Sequence, residues 1–289
     1  MSTVFDPIQS TGLTPGLLKY RRPVLQWQSS TQVNVQDQIV TGIAGDCTIL
    51  FTDGKLLTVN SSLQTQFIIT RNASLSGTKQ SGLRTGSAAN NTWYALYAVR
   101  ATDNDNTWVT VGDTVYPVNS SISTLNTNFG SNKWVYIGLI RYGDQSGSPN
   151  SIVKFWQSGN MTIFQNVGLV NVSGGATGGI LLAGNNTATV TWAYASGSTG
   201  AVLPSNVTLA NFLAGTSSSA NTEWSVRDSI PSSHYARQSI LSGNRAYVSF
   251  WVAAAGGVSS TNSNFGSGQD VILYGWIDDA LGVGSNPLV

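Results

Sequence analysis

From Val24 onward the hydrophobic positions fall in short runs rich in Val, Ile, Thr, Tyr and Trp, separated by clusters of Gly, Asn, Asp and Ser. This is the strand-and-turn pattern of an all-β chain, and it predicts an antiparallel β-sandwich, jelly-roll-like, with few short helices. Residues 1–22 carry Pro7 and Pro15 and no sustained periodicity, so they read as an extended N-terminal arm. One segment breaks the pattern. Pro204-Ser205-Asn206 leads into Leu209, Phe212 and Leu213 and closes on Gly215, which is the cap, spacing and stop of a short helix. The glycine-rich stretch Ser173 to Gly179 is the candidate boundary between a β-sandwich domain over 23–172 and a second β region over 173–289, or else a long loop within one continuous sandwich. Later strands are expected over Ala188 to Tyr194, Ala246 to Ala253 and Val271 to Asp278.

Two segments are near copies. Trp93-Tyr-Ala-Leu-Tyr-Ala-Val-Arg100 and Trp134-Val-Tyr-Ile-Gly-Leu-Ile-Arg141 each run from Trp to Arg over seven steps and are followed by an Asp-containing turn. Two copies are too few for a solenoid or propeller, so they predict two similar hairpins, answered by Thr107 to Val111 and by Ile152 to Gln157. Strict alternation groups Trp93, Ala95, Tyr97 and Val99 on one face and Tyr94, Leu96, Ala98 and Arg100 on the other. In the second copy it groups Trp134, Tyr136, Gly138 and Ile140 against Val135, Ile137 and Leu139. Both faces are largely apolar, whereas a strand wet on one side alternates more cleanly. These strands are therefore expected to be covered on both sides, by a second sheet with a loop or arm, or by a neighbouring subunit.

Composition narrows the function classes. Only 9% of the 289 residues are charged, against about 25% in ordinary domains, so the surface is mostly neutral and polar. A net charge of +1 supplies no field for a polyanion, which argues against nucleic-acid binding. No apolar run approaches the roughly 18 residues of a membrane helix, and the N-terminus lacks the basic start and apolar stretch of a secretory signal, so the expectation is a protein kept in a cytoplasm. Cys47 is the sole cysteine and reads as a small core residue.

Candidate chemistry is sparse. His234 is the sole histidine, and no Gly-x-Ser-x-Gly elbow accompanies it. Thr102-Asp-Asn-Asp-Asn106 begins like a calcium loop but places Trp108 where glycine belongs and Thr114 where glutamate belongs, so a side-chain-stabilised turn is the better reading. Asp278 and Asp279 point to opposite faces if they share a strand, which makes them a poor dyad for glycosidic cleavage, and Glu223 is the sole glutamate. No phosphate-binding glycine loop or His-Glu-x-x-His helix occurs. The expectation is a protein without catalytic residues, cofactor or metal. Nine tryptophans and ten tyrosines sit mostly on strand periodicity, as core. Tyr142 and Trp156 flank a turn and are the expected exposed pair, a candidate contact for a glycan.

A resemblance sharpens this picture. The segments Ser81-Gly-Leu-Arg-Thr-Gly-Ser-Ala-Ala-Asn-Asn-Thr-Trp-Tyr-Ala-Leu-Tyr-Ala-Val99, Trp134-Val-Tyr-Ile-Gly-Leu-Ile-Arg-Tyr-Gly-Asp144 and Val153-Lys-Phe-Trp-Gln-Ser-Gly-Asn160 together resemble a β domain found in structural proteins of tailed bacteriophages. The run from Arg22 to Val35 resembles the first strand of such proteins, so the likeness spans roughly residues 20–165. It implies a virion component such as a tail fibre, tail-tip or capsid decoration protein, assembled as a symmetric oligomer and here expected to be a homotrimer. It transfers no active-site residue. A long fibre needs heptads or fibrous repeats, which this chain lacks, so a compact decoration, short spike or tail-tip module fits better. Its partners would be major capsid or tail subunits, met in the virion after assembly in the host cytoplasm. Lys19, Tyr20, Arg21 and Arg22, at the end of the arm, are the candidate interface with an acidic patch on such a subunit, unless the arm is simply solvated. The alternative is a carbohydrate-binding adhesin that recognises host surface glycans.

Overall fold

The structure is a computed structural model and describes residues 23–37, 46–90, 92–103, 106–116, 119–143, 150–165, 189–191, 207–216, 222–227, 235–240, 246–253, 257–260 and 269–278. The expected arm over 1–22 and the glycine-rich 173–179 lie outside these. The described chain is all-β, with strands β1 (Pro23–Ser29), β2 (Gln32–Asp37), β3 (Asp46–Leu50), β4 (Leu56–Asn60), β5 (Gln66–Ile68), β6 (Gly82–Leu83), β7 (Thr92–Arg100), β8 (Trp108–Asp113), β9 (Trp134–Tyr142), β10 (Phe155–Ser158) and β11 (Met161–Phe164). It continues through β12 (Thr189–Thr191), β13 (Val207–Thr216), β14 (Thr222–Arg227), β15 (Tyr235–Ile240), β16 (Ala246–Ala253), β17 (Gly257–Ser260) and β18 (Gln269–Asp278). The helices are α1 (Ser62–Thr65) and α2 (Asn119–Phe129).

Sheet order runs β1-β2-β5, β3-β4, β6-β8-β7-β9, β12-β17-β14-β15 and β10-β11-β18-β13-β16. Pairing between these strands is antiparallel except at β6 and β8, which run parallel. The last sheet joins the β10-β11 hairpin to strands more than forty residues further on, through Met161 opposite Ile277 and Thr162 opposite Trp276.

The two near-copies lie against each other. β7 and β9 pair antiparallel, so the Trp of each stands at the Arg end of the other: Trp93 faces Arg141, and Val99 faces Trp134. Every residue of β9, and all of β7 after Thr92, is buried. The expectation of cover on both faces therefore holds, and the cover comes from within this chain. Strict alternation fails in the second copy, however. The register slips between Leu96 and Tyr97, so that Leu96 faces Gly138 while Tyr97 faces Tyr136, and Ile137 is the extra residue of a bulge. Trp134 and Tyr136 consequently share a face with Leu139 and Arg141, and not with Gly138 and Ile140 as alternation predicts.

One face of this sheet carries Trp93, Tyr97, Trp134 and Tyr136. Tyr97 packs edge-on to Trp134 at 5.7 Å and tilted on Phe129 of α2 at 5.5 Å, while Trp93 packs edge-on to Trp276 of β18 at 5.2 Å. On the other face, Leu96 stands between Gly112 and Gly138 on its two neighbours. A Cβ at Gly112 would lie 2.7 Å from the Phe67 ring, and one at Gly138 would lie 2.6 Å from a Leu25 methyl. The β1-β2-β5 sheet thus docks into a row kept low by two glycines. Gly138 also has φ +151, at the margin of the region where side chains are strained.

Two expectations are overturned. Within the predicted helix over 204–215, the described residues from Val207 on belong to strand β13, which pairs with β16 on one side and β18 on the other along most of its length. Ladder bonds on both edges outweigh a local helical signal. The second predicted hairpin is replaced as well: β9 is met only by a bridge from Tyr142 to Ile152, and β10 turns to pair with β11. By contrast, Thr107 to Val111 does answer the first copy, as β8.

Gly112→Ala is expected to lower stability by about 1–3 kcal/mol through overpacking, read as a lower urea midpoint. In a Phe67→Leu background the same substitution should cost measurably less, because the ring it strikes is gone.

Candidate functional site

The residues that carry the phage-like resemblance have identifiable structural tasks. Gly82 sits where a Cβ would collide with the Arg71 and Asn72 backbone, and Gly86 turns the chain at φ +78. Arg84 pairs with the Asp113 carboxylate, and its N–H donates to the Gly112 carbonyl at 2.9 Å. The Arg141 guanidinium lies 5.6 Å from the Trp93 ring centroid. Gln157 accepts the Leu25 N–H at 2.6 Å, tying β10 to β1. Gly159 opens the β10-β11 turn at φ +58, and the Asn160 carbonyl accepts the Asp278 N–H at 2.9 Å.

Polar side chains also enter the core. The Tyr97 hydroxyl donates to the Val115 carbonyl, the Tyr116 hydroxyl to the Trp93 carbonyl at 3.0 Å, and the Tyr136 hydroxyl to the Asp278 carboxylate, which is 1% exposed. Burial pushes the Tyr97 phenol well above its usual range, helped by the Asp113, Tyr116 and Asp278 charges. Tyr116 is raised too, chiefly by burial, with Arg141 pulling the other way. These hydroxyls are donors locked onto carbonyl and carboxylate oxygens, an arrangement that fixes strands.

The individual candidates separate clearly. His234, Asp279 and the basic quartet Lys19, Tyr20, Arg21 and Arg22 lie outside the described residues. Asp103, at the acidic turn, is committed to Lys79 at 3.1 Å and to the Gly77 N–H at 3.0 Å, and the Lys79 hydrogen bond holds its carboxyl below the ordinary range. Among the described residues no group of three or more acids, His or Cys is placed to hold a metal. Cys47 is a buried core residue, as expected. No described helix is long and apolar enough to cross a membrane. A shallow depression on α2 is lined by Ile122, Ser123, Asn126, Thr127 and Ser131, none of them titratable.

The expected aromatic pair divides. Trp156, on edge strand β10, is 48% exposed, but Tyr142 is 6% exposed and is not a surface residue. It packs in the hydrophobic core, on a strand end paired with Thr92 on one side and Ile152 on the other. Sequence reasoning missed Trp251, which is 44% exposed on β16, the opposite edge of the same five-stranded sheet. Phe250-Trp251-Val252 reads like any core strand, and only the sheet order shows that it ends at an edge.

Because Tyr97 and Tyr116 resist ionisation only when folded, their contribution to stability is complete below the unfolded phenol pKa of about 10 and falls away as pH rises above it. The urea midpoint should accordingly drop steeply above about pH 10, and less steeply in Tyr116→Phe, with phenolate absorbance from these two groups appearing only on unfolding. In comparisons with known proteins, the sequence matches no protein-family model and no curated protein.

Proposed function

We propose that this chain is a non-enzymatic structural protein of a bacteriophage particle, displayed as a capsid decoration protein, short head spike or tail-tip or fibre subunit. It assembles as a homotrimer and binds neighbouring capsid or tail proteins, with Lys19, Tyr20, Arg21 and Arg22 of the arm meeting an acidic patch. The observation that supports this best is where the phage-like motifs fall. They supply β7, β9 and β10, the strands around which the described core closes, and their glycines, Gln157 and Arg141 serve packing and register. A scaffold whose motif residues serve packing and register is what a particle subunit requires. The low charge content adds to it, since few ions need desolvation when such a surface docks.

A second reading, a carbohydrate-binding adhesin on the same particle, is favoured by one specific observation: two half-exposed tryptophans at opposite edges of one sheet.

For the first reading, the purified chain should have the mass of three copies by light scattering and should co-sediment with phage particles stripped of it. Replacing Lys19, Arg21 and Arg22 together with alanine should weaken that binding about tenfold or more and flatten its salt dependence. A monomer that ignores the particles would overturn the proposal.

A further inference from the structure

We infer that the outward face of the five-stranded sheet is a track for a single, electrically neutral glycan chain, gripped at its two ends by Trp156 and Trp251; this rests on the adhesin reading. The register places both indoles on one line. Trp156 pairs with Ile163, Ile163 with Gly275, Gly275 with Asn211, and Asn211 with Trp251, so the row crosses all five strands. Directly paired residues project from the same face. The exposure of Trp156 and Trp251 marks the two ends of their row as outward, while its middle, at Gly275 and Asn211, is buried, as is the neighbouring row through Thr162, Trp276 and Ala210.

Between the two rims the floor is low. Ile163 is half-buried, Gly275 has no side chain, and the Asn211 amide is buried, its oxygen accepting the exposed Ser249 hydroxyl at 2.9 Å. Four strand spacings separate the indoles by roughly 19 Å. That length suits several sugar rings of an extended chain, with apolar sugar faces on the indoles and a sugar hydroxyl reaching the exposed Ser249.

Charge and area select the ligand. Among the described residues this row contains no charged group, and of the outward rows beside it the one through Ser158, Met161, Ile277 and Leu209 contains none, while the other holds Lys154. The nearest cation on that side, Lys154, lies 5.1 Å from the Trp27 ring centroid. An anionic glycan or a phosphate backbone would find a single lysine here, at one rim, and no run of counter-charges along the row. Two half-exposed indoles offer roughly 200 Å² of apolar area, far below the roughly 800 Å² per partner of a stable protein interface. A twist of about 20° per strand turns one rim by roughly 80° against the other, so a flat crystalline surface cannot lie on both, while a flexible single chain can.

Affinity electrophoresis of the full chain through gels containing dextran, galactomannan or mixed-linkage β-glucan, with alginate as the anionic contrast, tests this. Retardation is expected in at least one neutral polymer and not in alginate. Trp156→Ala and Trp251→Ala should each lose affinity about tenfold, with unchanged thermal melting, and Trp251→Phe should keep part of it. Retardation that both alanine variants retain overturns the track but leaves the adhesin reading standing. Absence of retardation in every neutral polymer, or retardation by alginate alone, overturns both. An alanine variant whose oligomer falls apart in light scattering makes this face a subunit contact and also overturns the track.

Discussion

The pairing of β7 with β9 is the constraint on which the rest of the described structure depends. Two similar sequences laid antiparallel put a Trp beside an Arg, with Arg141 over Trp93 and the Arg100 N–H donating to the Lys133 carbonyl at 2.8 Å beside Trp134. A cation on an aromatic face is one of the few ways to bury a guanidinium near apolar strands without stranding its charge. Arg100 is secured differently, by Asp53 at 2.7 Å and the Asn132 carbonyl at 3.0 Å, and its guanidinium lies 5.4 Å from the Phe51 ring centroid. Both ends of the pair are thereby pinned, and the bulge at Ile137 absorbs the mismatch between them. Sliding β9 by one residue would turn its whole set of side chains to the wrong faces.

Much of this was legible in the sequence, and what was not has specific causes. Composition and the period-2 runs sufficed for the all-β class, and two-faced apolarity sufficed for the burial of β7 and β9. Helices were harder. Residues 204–215 carry a cap, apolar i, i+3 and i+4 positions and a terminal glycine, yet from Val207 on they form a strand. Residues 119–129 carry Ile122, Leu125 and Phe129 ahead of Gly130 at φ +81, and do form the helix that the sequence reading passed over. The local signals are equivalent. What separates them is whether neighbouring strands claim the backbone on both sides, and that is long-range information. The bulge is equally silent, because nothing in Ile-Gly-Leu reveals that Leu25 will press against the glycine.

The same logic explains the surface aromatics. Tyr142 and Trp156 look alike as turn-flanking residues, but exposure depends on strand neighbours: Tyr142 has one on each side, whereas Trp156 stands on an edge. Trp251 lies 95 residues further along and reaches the same row only because β13 and β18 intervene in the right register. Its relation to Trp156 is a property of topology, invisible to any window of sequence.

Alignment of that row traces back to glycine and to a second irregularity. A Cβ at Gly275 would come within 2.5 Å of the Thr162 carbonyl oxygen, so β18 and β11 approach more closely there than side chains allow. Immediately beside it the β13-β18 register slips between Asn211 and Phe212. Bulges raise local twist and re-aim side chains, which is why they recur where a sheet must present a surface as well as enclose a core. The five-stranded sheet and the β6-β8-β7-β9 sheet therefore use one device, a bulge beside a glycine. In the β7-β9 sheet it admits Leu25 and closes the core; in the five-stranded sheet it lowers the floor between two exposed indoles. The first use follows from packing alone. The second follows from the close approach of β18 to β11, and it also leaves a low strip between two exposed indoles.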